Sequence, residues 1–324
     1  MVRLALAGLI LAGAIFWIAL AGPSEPLPVP APRPAASYDE ALARFAAIAH
    51  RDGPEVNPVC HSLLLTHGAR TSRAVVLLHG FTNCPKQFAP LARIFYDQGA
   101  NVLVPRIPRH GLRDRMTDEL MRLTRREMIG SAAEAVDAAH GLGDTVIVVG
   151  LSSTAVAAAA IAEQRADVGR AVLLAPALAP RGLTPALTRR LATLMIHVPN
   201  MFIWWNSKEK EALGGPAQCY PRFSTHALGK IYRMGSLVLL DAERHAPAVK
   251  SIAVVTTVAD DAVANGPIAT LAHRWRSHGA VVREYQFAES LGVLHDMIDP
   301  EQVGANTGLV YPVLTALALG APVP

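Results

Sequence analysis

An α/β fold built on a mostly parallel sheet is what this sequence predicts, and three observations carry the prediction. Short apolar, β-branched runs recur along the chain, and amphipathic helical stretches separate most of them. The 324 residues, 51% hydrophobic and 17% charged, supply material for a large core. The same composition excludes other classes. Lysine and arginine number 30 against 26 acidic residues, a net +4 that is not gathered in runs. Only five of the thirty are lysine and aromatics stand at 6%, so no nucleic-acid partner is expected. Cys60, Cys84 and Cys219 form no CxxC and no Cys/His ligand spacing, so neither zinc nor a redox dithiol is implied.

The elements follow in chain order. After Met1, Val2 and Arg3, residues 4–21 are uncharged, a stretch at the lower edge of a membrane span. Ala19-Leu20-Ala21 also reads as a signal cleavage site, so residues 1–22 are a transmembrane anchor or a signal peptide. Prolines at 23, 26, 28, 30, 32 and 34 make residues 23–37 an extended linker. A spacer is most useful while the anchor stays attached, which favours an anchored domain outside the cytoplasm over a secreted or periplasmic one. Two further uncharged stretches are not read as spans: 145–162 is a strand, turn and helix, and 302–324 is interrupted by Asn306, Gly308 and Pro312.

The globular region, 38–324, opens with the capping box Ser37-Tyr38-Asp39-Glu40 and a helix to about His50. Strands are predicted at 74–79, 101–107, 145–149, 171–175, 252–258 and 281–287. Helices are predicted at 85–98, at 127–140 behind the capping box Thr124-Arg125-Arg126-Glu127, and at 267–278. Roughly seventy-five residues lie between the fourth and fifth strands, far more than a crossover needs, so about 181–250 is an inserted subdomain.

In a parallel sheet, reactive residues belong in loops at strand C-termini. After 145–149 the chain reads Gly150-Leu151-Ser152-Ser153-Thr154 and then a small helical run, AVAAAA. A strand ending in Gly-x-Ser and turning at once into a helix holds a serine hydroxyl clear of the sheet. Ser152 is therefore a candidate nucleophile, although serine is also a common helix N-cap. The strand before His79-Gly80-Phe81-Thr82 leaves backbone amides where an acyl oxygen could sit, and those of Phe81 and Ser153 would form an oxyanion hole. Two late strands run into Asp260-Asp261-Ala262-Val263 and into the loop holding His295-Asp296, a candidate acid and base. The order Ser152, Asp260, His295, each after a strand, is hard to obtain by accident.

From about 57 to 319 the chain resembles the serine α/β-hydrolases, close to the bacterial monoacylglycerol lipase and carboxylesterase group. The matching stretches are VVLLHGF, VPRIPRHG at 104–111, GLSST, VADDAV and LHDMIDP. The resemblance implies an α/β-hydrolase fold with a helical lid at the insertion, Ser152 as nucleophile, His295 as general base and Asp260 orienting it. Asp260 rather than Asp261 fits the family's Asp-x-x-Val spacing. An ester is then cleaved through an acyl-enzyme with no metal or organic cofactor. Two residues depart from the pattern: Thr154 stands for the second elbow glycine, where it is expected to crowd the helix against the strand, and Arg109 stands for the glycine before His110.

The insertion carries ten Lys/Arg against four acids and the cluster Met201-Phe202-Ile203-Trp204-Trp205. It is either an ordinarily packed lid with a solvated face, or one that lines an acyl pocket and approaches anionic lipid. The arginines of 106–127, interspersed with acids, are expected to form a solvated surface. Cys60 and Cys84 are close enough in sequence to pair, and unpaired burial is equally open. Two functions stand: a carboxylic ester hydrolase acting on a hydrophobic or lipid-like small-molecule ester, possible membrane association included, or a catalytically impaired protein of the same fold that binds a hydrophobic ligand. Nothing in the sequence fixes an oligomeric state.

Overall fold

The computed structural model describes residues 26–324 together with Gly13, so the expected anchor or signal lies outside the described residues. No helix among those described is long and apolar enough to cross a membrane. From residue 26, where its described part begins, the linker has no helix or strand before α1, but it is not a free spacer. Leu27 and Ala35 are buried, Arg33 N donates to Asp137 Oδ1 at 3.1 Å, and Ala35 N donates to Asp137 O at 2.8 Å. The fully buried Arg165 pairs with the same Asp137 oxygen at 2.6 Å. A proline-rich segment with no ladder of its own thus satisfies its amides by docking on a helix.

The chain runs α1 (Tyr38–Ala49), β1 (Leu63–Leu65), β2 (Thr71–Leu78), α2 (Ala89–Asp97), β3 (Asn101–Val104), α3 (Arg125–Leu142) and β4 (Gly143–Leu151). It continues through α4 (Ser153–Gln164), β5 (Arg170–Leu174), α5 (Pro185–His197), β6 (Phe202–Trp204), β7 (Arg222–Ser224) and α6 (Thr225–Arg244). Last come β8 (Ser251–Thr257), α7 (Asn265–Ser277), β9 (Val281–Phe287) and α8 (Thr307–Leu319). The main sheet has the order β1-β3-β2-β4-β5-β8-β9, and every pairing is parallel except β1 with β3. Central strands read as continuous apolar runs because helices cover both faces; Val75 to Leu78 and Val102 to Val104 have no exposed surface.

All six predicted strands form. The second ends at Val104 rather than 107 because Pro105 has no N–H for the ladder. Three-residue β1, β6 and β7 are too short to show a period and were not predicted. The capping box Thr124–Glu127 closes in both directions. Asn306 does not interrupt the last stretch; it is the N-cap of α8, which carries Pro312 within it and at 13 residues is about 20 Å long, short of a bilayer. The interval after β5 also divides. Its second half, α6, packs against α4 and α7 as the crossover helix, with Ile231, Met234 and Val238 fully buried. Only α5 and the β6–β7 hairpin, together with their loops, stand outside the α/β layers.

Candidate functional site

At the end of β4 the backbone turns through Ser152, which has φ 58° and ψ −112° before α4 begins at Ser153. A non-glycine residue in that region is strained and needs its surroundings to hold it. Ser152 N donates to Leu174 O at 2.8 Å, and Ser152 O accepts from Val156 N and Ala177 N. The strand and helix are in tight contact at Gly150, where a Cβ would lie 2.5 Å from Thr154 O. The crowding expected from Thr154 therefore does not arise: glycine occupies the tight position, and the threonine hydroxyl is used. Thr154 Oγ1 donates to Leu78 O at 2.7 Å and accepts from Leu151 N at 3.2 Å, joining α4 to β2 and β4.

The loop after β2 is braced from inside. Ile107 N donates to His79 Nε2 at 3.0 Å, so the proton of this buried ring sits on Nδ1, which donates to Gly80 O at 3.1 Å. Gly80 N donates to Gln87 Oε1 at 2.8 Å, and Asn83 N to Gly80 O at 3.3 Å. Phe81 N and Ser153 N donate to no protein group among the described residues, which leaves both amides available to an oxyanion.

His295 and Asp260 meet. His295 Nδ1 lies 2.9 Å from Asp260 Oδ2, and Asp260 Oδ1 accepts from Ala262 N at 2.9 Å and Val263 N at 2.8 Å. Burial pushes the Asp260 pKa up, but the His295 bond and charge and the two amides outweigh it, so the carboxylate lies below its usual range. Burial lowers the His295 pKa, but the Asp260 bond together with the charges of Asp260, Asp296 and Asp261 outweighs it, leaving the pKa above the ordinary imidazole value. Asp261 is exposed and makes no such bond. The Ser152 hydroxyl has no hydrogen bond among the described residues, to His295 or otherwise; such pairs are often loose until substrate binds.

The loop bearing His295 is tied to the loop after β2 by side chains that spacing alone did not single out. Gln87 Nε2 donates to Asp296 Oδ1 at 3.0 Å and Asn83 Nδ2 to Asp299 Oδ2 at 3.4 Å. Burial raises both carboxyls above their ordinary pKa. These pairs span more than two hundred residues of sequence, so no local pattern could mark them.

The arginines of 106–127 divide: Arg113, Arg122 and Arg126 are exposed, as a solvated surface requires, whereas Arg106, Arg109 and Arg115 are drawn inward. Arg106 pairs with Asp52 at 2.6 Å in a buried contact, Arg109 with Glu119 and Glu127, and Arg115 donates to Cys219 O and Leu213 O. Arg106 ties the segment to Asp52, Arg109 ties it to itself, and Arg115 ties it to carbonyls of the insertion. His110 beside them is buried, its Nδ1 donating to Pro108 O at 2.9 Å, and burial lowers its pKa to about 4. Cys60 and Cys84 form a disulfide and Cys219 is free and buried. From the insertion, Trp205 packs on Phe223 at 4.3 Å between ring centroids, and both approach Phe81. Among the described residues no group of three or more His, Cys, Asp or Glu side chains could hold a metal ion.

A profile described as "Alpha/beta hydrolase family" matches residues 75–304. Among solved structures, one of the metagenome-derived lipolytic enzymes LipS and LipT is 17% identical with a TM-score of 0.61, over 82% of this chain and 99% of that one. The monoacylglycerol lipase of Paleococcus ferrophilus is 18% identical with a TM-score of 0.51, over 74% and 92% of the two chains. Est1E from Butyrivibrio proteoclasticus, solved with ferulic acid, is 12% identical with a TM-score of 0.52, over 80% and 93%. At these identities the likeness is one of fold. No curated protein sequence matches.

Proposed function

Because the chain belongs to the alpha/beta hydrolase family, we propose that it is a serine hydrolase that cleaves carboxylic esters of hydrophobic or lipid-like substrates. His295 takes the Ser152 proton, the alkoxide attacks the ester carbonyl, and the Phe81 and Ser153 amides stabilise the oxyanion. His295 then protonates the leaving alcohol, and water activated by the same imidazole releases the acid. Asp260 keeps the imidazole in the tautomer whose Nε2 is free to accept the proton. The observation that carries the reading is the His295–Asp260 bond, with Asp260 Oδ1 held by two amides. A base with a raised pKa and a serine in a strained turn agree with it.

The hydrophobic substrate class is supported by the aromatic wall of Phe81, Trp205 and Phe223 beside the oxyanion loop. The similar solved structures named above as a lipolytic enzyme and a monoacylglycerol lipase point the same way. We further propose that the domain works outside the cytoplasm, tethered or released, on the strength of its apolar leader and the Cys60–Cys84 disulfide.

The test is covalent labelling of the purified protein with a fluorophosphonate probe and mapping of the labelled residue by mass spectrometry. Label on Ser152, lost together with ester hydrolysis in Ser152→Ala, is expected. Folded protein that takes no label overturns the enzyme in favour of a ligand-binding protein of the same fold, and label on Ser153 moves the elbow by one residue.

A further inference from the structure

Gly80, Phe81, Thr82 and Asn83 form a turn closed by Asn83 N donating to Gly80 O at 3.3 Å. Thr82, its third residue, has φ 63°. That position of a turn favours glycine, and a β-branched residue there is an outlier that the surroundings must hold. The holding groups come from the insertion. Trp205 Nε1 donates to Thr82 Oγ1 at 3.0 Å, Thr82 Oγ1 donates in turn to Phe81 O at 2.6 Å, and Tyr220 N donates to Thr82 O at 2.8 Å. The 81–82 peptide, central to the turn, is thus gripped through a chain of two hydrogen bonds that begins on an indole 123 residues away.

Trp205 is itself fixed. Its backbone N donates to Pro221 O at 3.1 Å, its ring lies against Phe223 at 4.3 Å, and β6–β7 pairing, Trp204 with Arg222, sets the hairpin. Still, the residue remains 52% exposed, with its ring centroid 6.4 Å from that of Phe81.

We propose that Thr82 and Trp205 form a latch by which the inserted hairpin sets the oxyanion-binding turn, and that both are positioning residues for ester hydrolysis; the proposal rests on the hydrolase reading above. An oxyanion hole works because its donors already point at the developing charge. Release of Thr82 from the left-handed region lets the 81–82 peptide rotate; the donor Phe81 N lies on the adjoining 80–81 peptide and shares the Phe81 Cα with it, so the donor loses its fixed direction, which costs the transition state more than the bound ester. The insertion is then part of the catalytic geometry as well as a cover for the substrate.

The test uses the full chain, with Thr82→Val and Trp205→Phe removing the acceptor and the donor in turn, Thr82→Ser as the conservative control, and the Val/Phe double variant. Hydrolysis of a p-nitrophenyl ester is read as kcat and KM, and hydrogen exchange is followed in peptides covering 79–88. Each single variant is expected to lower kcat about three- to tenfold, Thr82→Val with KM within about twofold, the double to lower kcat no further than the worse single, and Thr82→Ser to recover most of the loss. Exchange across 79–88 should speed up in Trp205→Phe. A raised KM with unchanged kcat, additive losses, or unchanged exchange overturns the latch. A wild-type protein that neither hydrolyses the ester nor takes a fluorophosphonate overturns the hydrolase reading instead, and the exchange measurement then decides by itself whether the hairpin holds the turn.

Discussion

Asp260 divides its two oxygens between the base and the backbone: Oδ2 accepts from His295 Nδ1 at 2.9 Å, while Oδ1 accepts from Ala262 N at 2.9 Å and Val263 N at 2.8 Å. The second pair of bonds leaves the first oxygen one direction to face. Asp260→Asn presents either an amide that cannot accept from Nδ1–H or one whose amino group opposes the two backbone amides. Ester hydrolysis should fall by about three to four orders of magnitude with binding little changed. Asp261→Asn should fall by less than about twofold, measured as kcat/KM on the same ester.

The pH profile follows from the raised pKa of His295. The base works only when neutral, so kcat/KM should climb with pH through an acid limb above 6.5, the free imidazole value. Asp296 contributes to the rise, and Gln87 Nε2 can donate equally to an asparagine oxygen. Asp296→Asn should therefore move the limb to lower pH without dispersing the loop. A limb that stays where it was would show that the Asp296 charge is not felt at His295.

His110 should make the fold sensitive to mild acid. Burial lowers its pKa from 6.5 to about 4 in the folded chain. Between those values the unfolded chain binds a proton that the folded chain does not, so stability is lost as pH falls through the window. The loss is on the order of a few kcal/mol at its lower end. His110→Asn keeps a donor for Pro108 O and removes the titration. Urea unfolding at pH 7 and at pH 4.5 should show a smaller difference in the variant than in the wild type.

Cys60 and Cys84 close a loop with a sequence separation of 24 beside the turn that carries Phe81. Reduction, or Cys60→Ala with Cys84→Ala, should cost about 3 kcal/mol of stability by chain entropy. Denaturant midpoints with and without reductant measure it, and the double variant should lose its sensitivity to reductant.

Thr154→Val should cost about 1–2 kcal/mol, because Leu78 O and Leu151 N lose their shared hydroxyl partner inside the core. Thr154→Gly loses the same bonds and adds backbone freedom to the first turn of α4, so it should be no more stable than the valine variant. The midpoint of urea unfolding distinguishes them from a threonine that merely fills space.

The sequence by itself determined the parallel sheet, because strands buried on both faces must read as apolar runs and their connecting helices as amphipathic ones. It also determined the order of Gly-x-Ser, Asp260 and His295, since each lies in a loop immediately after its own strand and needs no long-range information to be found. The tertiary structure decided what depends on residues distant in the chain. Thr154 looked like an obstacle until Leu78 O, 76 residues away, appeared as its acceptor. Arg106 and Arg115 read as part of a solvated stretch because their partners Asp52, Cys219 and Leu213 lie elsewhere in the sequence. The proline-rich segment looked free because Asp137, which takes its amides, is on α3. Periodicity and local turns report which way a residue faces, since neighbours along the chain set that; which group meets it there is set by packing between segments, and only the folded chain supplies it.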